Sequence, residues 1–312
     1  LGKQGEGIWV QRPYWHLSNF TIRFQGGGVN GNGIGVRLGA GSQSTRGSGC
    51  VLDSLRIYGT GTHAVYGADA GQPSYCDTVL VRNCTLDGRG IDAWPYSTCK
   101  NGNCEVCGIF APGSSWGVFN NEVTGFFDGI DLDDFTGGGG SFVSTDSTGG
   151  SDAEIAYNNV HNVADDGSEL DGSAGINRRY FGNTFRDGNF GLSFAPLTLG
   201  PNWIYVNTLT RNDQGGLKLG SITTLGSGRA LLYNNTIVGT PGSFYAPMYH
   251  IANGFRRLRS RNNLFVTSGT GGYIMRDLDT VSDQSGRSSN DFNFDIPDTT
   301  STAPRLWTWN TL

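Results

Sequence analysis

Methionine is nearly missing from this chain, with two in 312 residues, and only four histidines occur. No segment sustains apolar residues at the 3.6-residue spacing of a buried helix, so a helical bundle is excluded. No apolar run approaches the roughly 18 residues of a membrane-spanning helix. A basic excess is missing too: 22 Lys and Arg stand against 27 Asp and Glu, a net charge of −5, which gives nucleic acid no cationic surface. No two histidines share a metal-ligand spacing. No signal peptide is visible, and Leu1 reads as a processed or trimmed start.

Glycine is abundant instead, with fifty residues, alongside many Asn, Ser and Thr, a composition of tight turns and short strands. The order is periodic. Ile130-Asp131-Leu132, Ser168-Glu169-Leu170, Leu192-Ser193-Phe194 and Leu217-Lys218-Leu219 each follow a glycine, namely Gly129, Gly167, Gly191 and Gly216. A polar residue before a short apolar run recurs at Asn19, Ser54, Asn83, Asn121, Asn159, Asn183, Asn207, Asn235, Asn263 and Asn293, in steps as short as 24 residues. A fixed minimum with insertions is the mark of a solenoid, and 24 residues are too few for a four-stranded propeller blade of about 40. The reading is an all-β, right-handed parallel β-helix of about ten coils with inserted loops, one domain over residues 1–312, with stacked asparagines at a recurrent corner and an irregular end over 277–312. Its open ends are candidate surfaces for self-association.

All six cysteines fall between Cys50 and Cys107. An even number in one loop-rich third predicts disulfides pinning long loops, and hence an extracellular, oxidising compartment; zinc at Cys104-Glu-Val-Cys107 is the rival. Asn19, Asn83 and Asn234 open glycosylation triplets.

Alternation along a strand points Asp131, Glu169, Ser193 and Lys218 outward in one row, with Asp92 one coil earlier, a row of roughly 19 Å at the inter-strand spacing. Asp128, Asp165 and Asp166 precede it, with Asp133, Asp134 and Asp171 alongside. Carboxylates so dense repel unless a cation binds among them, and hard oxygen ligands in that number suit Ca²⁺. Lys218, mid-strand between two leucines, is the candidate base. Arg211 and Arg186 could each hold a carboxylate bidentately. Trp94, Phe135 and Trp203 are candidates to stack on sugar rings, while Asp131 and Ser193 offer polar contacts.

Asp165-Asp166-Gly167-Ser168-Glu169-Leu170, followed by Gly215-Gly216-Leu217-Lys218-Leu219-Gly220, resembles the calcium-dependent pectate lyases of polysaccharide lyase family 9 over about 100 residues. Glu169 stands where that family has Asp. The resemblance implies that Asp128, Asp165, Asp166 and Glu169 bind Ca²⁺ and that Lys218 removes the proton α to a uronate carboxylate of an acidic polysaccharide, with β-elimination following. A glycoside hydrolase working through paired carboxylates is the alternative enzyme. A non-catalytic binding or filament protein is the alternative of another class.

Overall fold

The computed structural model describes residues 5, 7–24, 33–39, 47–67, 76–102, 106–132, 150–171, 175–195, 197, 199–220, 228–239, 248–252, 258–266, 275–277, 289–291 and 294–296. Their strands, mostly three to five residues long, join into three parallel sheets of ten strands. Each coil gives one strand to each sheet in turn, so every strand pairs with its counterpart one coil on. The chain is a right-handed parallel β-helix.

The interior consists of columns. In the first sheet Ile109, Ile130, Ser168, Leu192 and Leu217 lie in register. The second sheet aligns Leu52, Val81, Val118, Ile155, Tyr180, Ile204 and Leu232. The third aligns Ile57, Leu86, Val123, Val160, Phe185, Leu209 and Ile237. All are 1% exposed or less, so a like-sized apolar residue once per strand suffices to seal each step of the core. Ser168 is the polar member, satisfied by donating to Ile130 O at 2.7 Å.

The glycines before the first-sheet cores have a steric cause. A Cβ on Gly129 would run into Gly167 O; on Gly167 it would lie 2.5 Å from Gly191 O, and on Gly191 2.7 Å from Gly216 O. Successive coils approach too closely there for any side chain.

The bend between the second and third sheets explains the asparagines, with a one-residue correction. Its first residue takes a left-handed conformation, at Asn19, Ser54, Asn83, Asn120, Tyr157, Val206, Asn234 and Asn262. The ladder proper is the next position, carried by Asn121, Asn158, Asn183, Asn207, Asn235 and Asn263. Each Nδ2 donates to a core-strand carbonyl of a preceding coil, and from Asn121 to Asn235 also to the Oδ1 of the next ladder asparagine. Asn19, Ser54 and Asn83 are therefore bend residues, and Asn159 opens the following strand. Within the ladder, Asn183 is 1% exposed and its Oδ1 also accepts the Asn158 N–H at 2.9 Å. Asn183→Leu is expected to cost about 2–4 kcal/mol, since it strands several buried partners at once; urea unfolding measures it, and a loss under ~1 kcal/mol would show that the ladder is decorative.

The cysteine expectation is corrected. Cys50, Cys76, Cys84 and Cys107 are buried thiols, three of them in the main core cluster. Cys50, Cys76 and Cys84 fill core positions as small apolar residues, whereas the Cys107 thiol donates to Asp131 beside the acidic cluster. Cys99 is disulfide-bonded; Cys104 lies outside the described residues. Glycosylation triplets at Asn19, Asn83 and Asn234 begin on exposed side chains.

Candidate functional site

The outer row of the first sheet runs, in register, Trp9, Arg37, Tyr66, Phe110, Asp131, Glu169, Ser193 and Lys218. The segment from Asp131 to Lys218 is as the repeat predicts. Asp92 is not in it. It sits exposed in a short 3-10 turn, Ile91–Ala93, because residues 88–106 leave the coil as an insertion, and Phe110 takes its place beside Asp131.

Three carboxylates converge where the row meets the preceding bend. Asp128, Asp166 and Glu169 each bring one oxygen to within 4.8 Å of the others, at 0%, 0% and 7% exposure. Asp128 Oδ1 accepts the Asp166 N–H at 3.0 Å. Asp128 Oδ2 and both oxygens of Asp166 are buried without a hydrogen-bond partner. Burial first, then the neighbouring carboxylates, push all three well above the ordinary carboxylate range.

Two lysines flank the cluster. Lys218 Nζ lies 2.9 Å from Asp171 Oδ2 and 4.0 Å from Asp166 Oδ2. Burial pulls its pKa down, but Asp171, Asp166 and Glu169 outweigh burial and hold it above the ordinary lysine value. Asp171 is itself fixed by Ser193 Oγ and the Ala195 N–H, both at 2.6 Å. Lys100, the second lysine, is a residue the repeat pattern does not reveal. It projects from the helix Tyr96–Gly102 of the insertion and places Nζ 2.9 Å from Asp165 Oδ2. Asn189 Nδ2 binds the other oxygen of Asp165 at 3.0 Å. Asp165, expected as a cation ligand, is thus held by Lys100 and Asn189 and stands outside the convergent trio.

The remaining expected residues separate. Ser193 is fully buried beneath Asp171. Asp131 is 7% exposed, with Oδ2 accepting the Cys107 thiol at 3.3 Å; burial and that carboxylate keep the thiol protonated. Trp94 is 0% exposed, packs with Cys99, Val106 and Phe127, and donates Nε1 to Gly125 O at 3.0 Å, so its ring cannot stack on a sugar. Trp203 lies on the second sheet, in register with Arg179 and Leu231. Arg211 and Arg186 both bind Asp187 at the corner between the third and first sheets, Arg211 through two bonds of 2.6 Å. Arg211 lines a groove of about 700 Å³ with Ile91, Tyr96, Asn189 and Gln214, beside the acidic cluster and not within it. Asp133, Asp134 and Phe135 lie outside the described residues.

No protein-family model and no curated protein matches the chain. Solved structures similar to it include the Agl-KA catalytic domain, at TM-score 0.49 and 9% identity over 91% of this chain. PfbA, a surface adhesin of Streptococcus pneumoniae, matches at 0.47 and 11% over 93% of this chain and 72% of its own. The A-module of the Azotobacter vinelandii mannuronan C-5 epimerase AlgE4 matches at 0.41 and 14%, over 88% of each chain. The present chain spans 58% of the Agl-KA domain's length. At these identities the likeness is one of architecture. Among the described residues, no helix is long and apolar enough to cross a membrane.

Proposed function

We propose that the protein is a carbohydrate-active β-helix that cleaves a uronate-containing polysaccharide by β-elimination, with Ca²⁺ at Asp128, Asp166 and Glu169 and Lys218 as the base. The observation that carries this reading is the set of buried carboxylate oxygens on Asp128 and Asp166 that have no hydrogen-bond partner. Such atoms are costly unless a proton or a cation satisfies them, and convergent hard oxygens suit Ca²⁺. Being 0% exposed, Asp128 and Asp166 cannot touch a sugar, whereas a ligand needs only to reach the ion.

Bound there, Ca²⁺ supplies charge neutralisation of the uronate carboxylate, which acidifies the adjacent C–H. The chain's own residues do the rest. Asp171, locked by Ser193 and Ala195 N–H, aims the Lys218 amine along the outer face of the sheet. Lys218, deprotonated, takes the C5 proton. The electron pair left on C5 forms the C4–C5 double bond as the C4–O bond breaks, and the glycosidic oxygen departs with a proton from solvent. Asp131, between Phe110 and Glu169 in the row, adds a carboxylate beside the substrate's path, oriented by Cys107.

The test is product identity. Wild-type protein, incubated with polygalacturonate and with alginate in calcium, is expected to give the ultraviolet-absorbing unsaturated uronate, and EDTA is expected to abolish it. Reducing ends without that absorbance would replace the lyase reading with hydrolysis, in which the raised pKa of Glu169 marks a general acid. Neither signal on any uronate polymer would remove the proposal.

A further inference from the structure

The outer row does not stop at the acidic cluster. On its N-terminal side four successive coils carry Phe110, Tyr66, Arg37 and Trp9 at the same position. Tyr66 and Phe110 stack at 5.2 Å between centroids and 17° between planes. The Arg37 guanidinium lies over Trp9 at 5.3 Å and over Tyr66 at 5.9 Å. Beside them His63 stacks on Tyr66 at 4.8 Å and accepts the Cys107 N–H at 2.9 Å; burial holds this histidine at a pKa of about 4, hence neutral. Trp9 is 45% exposed, and Arg37, Tyr66 and Phe110 are half-buried.

We infer that this aromatic and arginine ladder is a run of saccharide subsites holding the part of an acidic polysaccharide that extends from the reaction centre toward the N-terminal end of the helix. The inference rests on the uronate reading above and adds the direction and the recognising residues. Because the Tyr66 and Phe110 faces are stacked on each other and on His63, the row offers a saccharide the apolar edges of its rings, and a guanidinium fixed over rings can bind a uronate carboxylate bidentately. From Trp9 to Lys218 the row covers seven coil steps, roughly 34 Å at the inter-strand spacing. A pyranose unit in an extended polymer is about as long as one step, so successive sugars meet successive side chains. Continuity decides the occupant: Phe110 is the neighbour of Asp131 in register, so a polymer lying over the carboxylates must continue onto it. The Phe181–Tyr205 stack of the second sheet, at 5.1 Å, has no such continuity and is a packing ladder only.

Calorimetry with short and long oligogalacturonates, and with neutral xylo-oligosaccharides of the same lengths, tests it. The Lys218→Arg protein in calcium serves as parent, so that no chain is cut. Affinity is expected to rise with oligomer length, and Phe110→Ala to lower the long-oligomer affinity about fivefold while leaving the shortest unchanged. Trp9→Ala, at an exposed side chain, should affect only the longest oligomers and spares the fold if Phe110→Ala does not. Equal binding of long uronates by both variants and the parent would overturn the ladder and leave the lyase reading standing. Length-dependent binding of neutral oligomers alone, lost in Phe110→Ala, would keep the ladder and remove the uronate reading. Failure of every oligomer to bind overturns the ladder.

Discussion

Lys218→Ala is expected to lower formation of unsaturated uronate by roughly 10²–10⁴-fold, the range for loss of a positioned base. Lys218 lies in the strand Gly215–Gly220 between Leu217 and Leu219, both 0% exposed, so the backbone under it is fixed by core packing and the variant should fold. The informative companion is Lys218→Arg. Arginine restores a cation opposite Asp171 but cannot surrender its proton at accessible pH. If Lys218 only neutralised the cluster, Arg would restore activity; if it removes the proton, Arg stays as inactive as Ala. The pH profile gives a second readout. Because Asp171, which stands outside the calcium trio, pairs with the ammonium at 2.9 Å and favours its protonated form, the active amine grows with pH, and the rate should climb through the alkaline range. A rate that is flat or falls there, or an active Lys218→Arg, would remove the lysine from the chemistry.

The second large effect is on stability. Asp128, Asp166 and Glu169 have folded-state pKa values well above those of the unfolded chain, with burial as the main cause. For a group raised in this way, stability is complete below the unfolded value, about 4, and is lost as pH rises through the folded one. In EDTA the thermal midpoint should therefore fall from mildly acidic to neutral pH. Calcium reverses this, because the ion takes the deprotonated trio: at a hundredfold excess over Kd it stabilises by about 2.7 kcal/mol, several degrees in Tm. Asp166→Asn keeps the shape and removes one buried carboxyl group whose oxygens lack a hydrogen-bond partner. It is expected to raise the midpoint in EDTA at neutral pH by the equivalent of about 1–3 kcal/mol and to abolish the calcium shift. Calorimetric scans of both proteins at two pH values decide the matter. A calcium shift that survives Asp166→Asn would place the ion elsewhere, and a metal-free midpoint that does not fall with pH would mean that the carboxylates are satisfied in another way.

Insertion and burial mark where the local pattern stops being informative. The repeat could be read because each coil solves the same problem: an apolar residue inward, a glycine where coils touch, an asparagine at the bend. Identical solutions at nearly constant spacing leave a period in the chain. Lys100 belongs to no repeat. It reaches Asp165 because the insertion after Asp87 folds as a helix anchored by Trp94, Cys99, Val106 and Phe127, and nothing in its local sequence announces that partner. Asp92 misled for the same reason: Gly90-Ile91-Asp92-Ala93 imitates a coil core, while the true core, Cys107–Phe110, follows the insertion. Trp94 and Ser193 have the residue types of a sugar-binding site, but their burial depends on neighbours a coil or more away.

By itself the sequence determined the coil, its core columns and the row that brings Asp131, Glu169, Ser193 and Lys218 into register, because strand alternation and a fixed repeat are local rules that propagate along a solenoid. Only the tertiary structure decided which carboxylates converge, that Asp165 is claimed by Lys100 while Asp171 claims Lys218, and that Phe110 and not Asp92 continues the row. Those outcomes turn on distances of a few ångströms between side chains tens of residues apart, which depend on how the insertions pack and not on the period they interrupt.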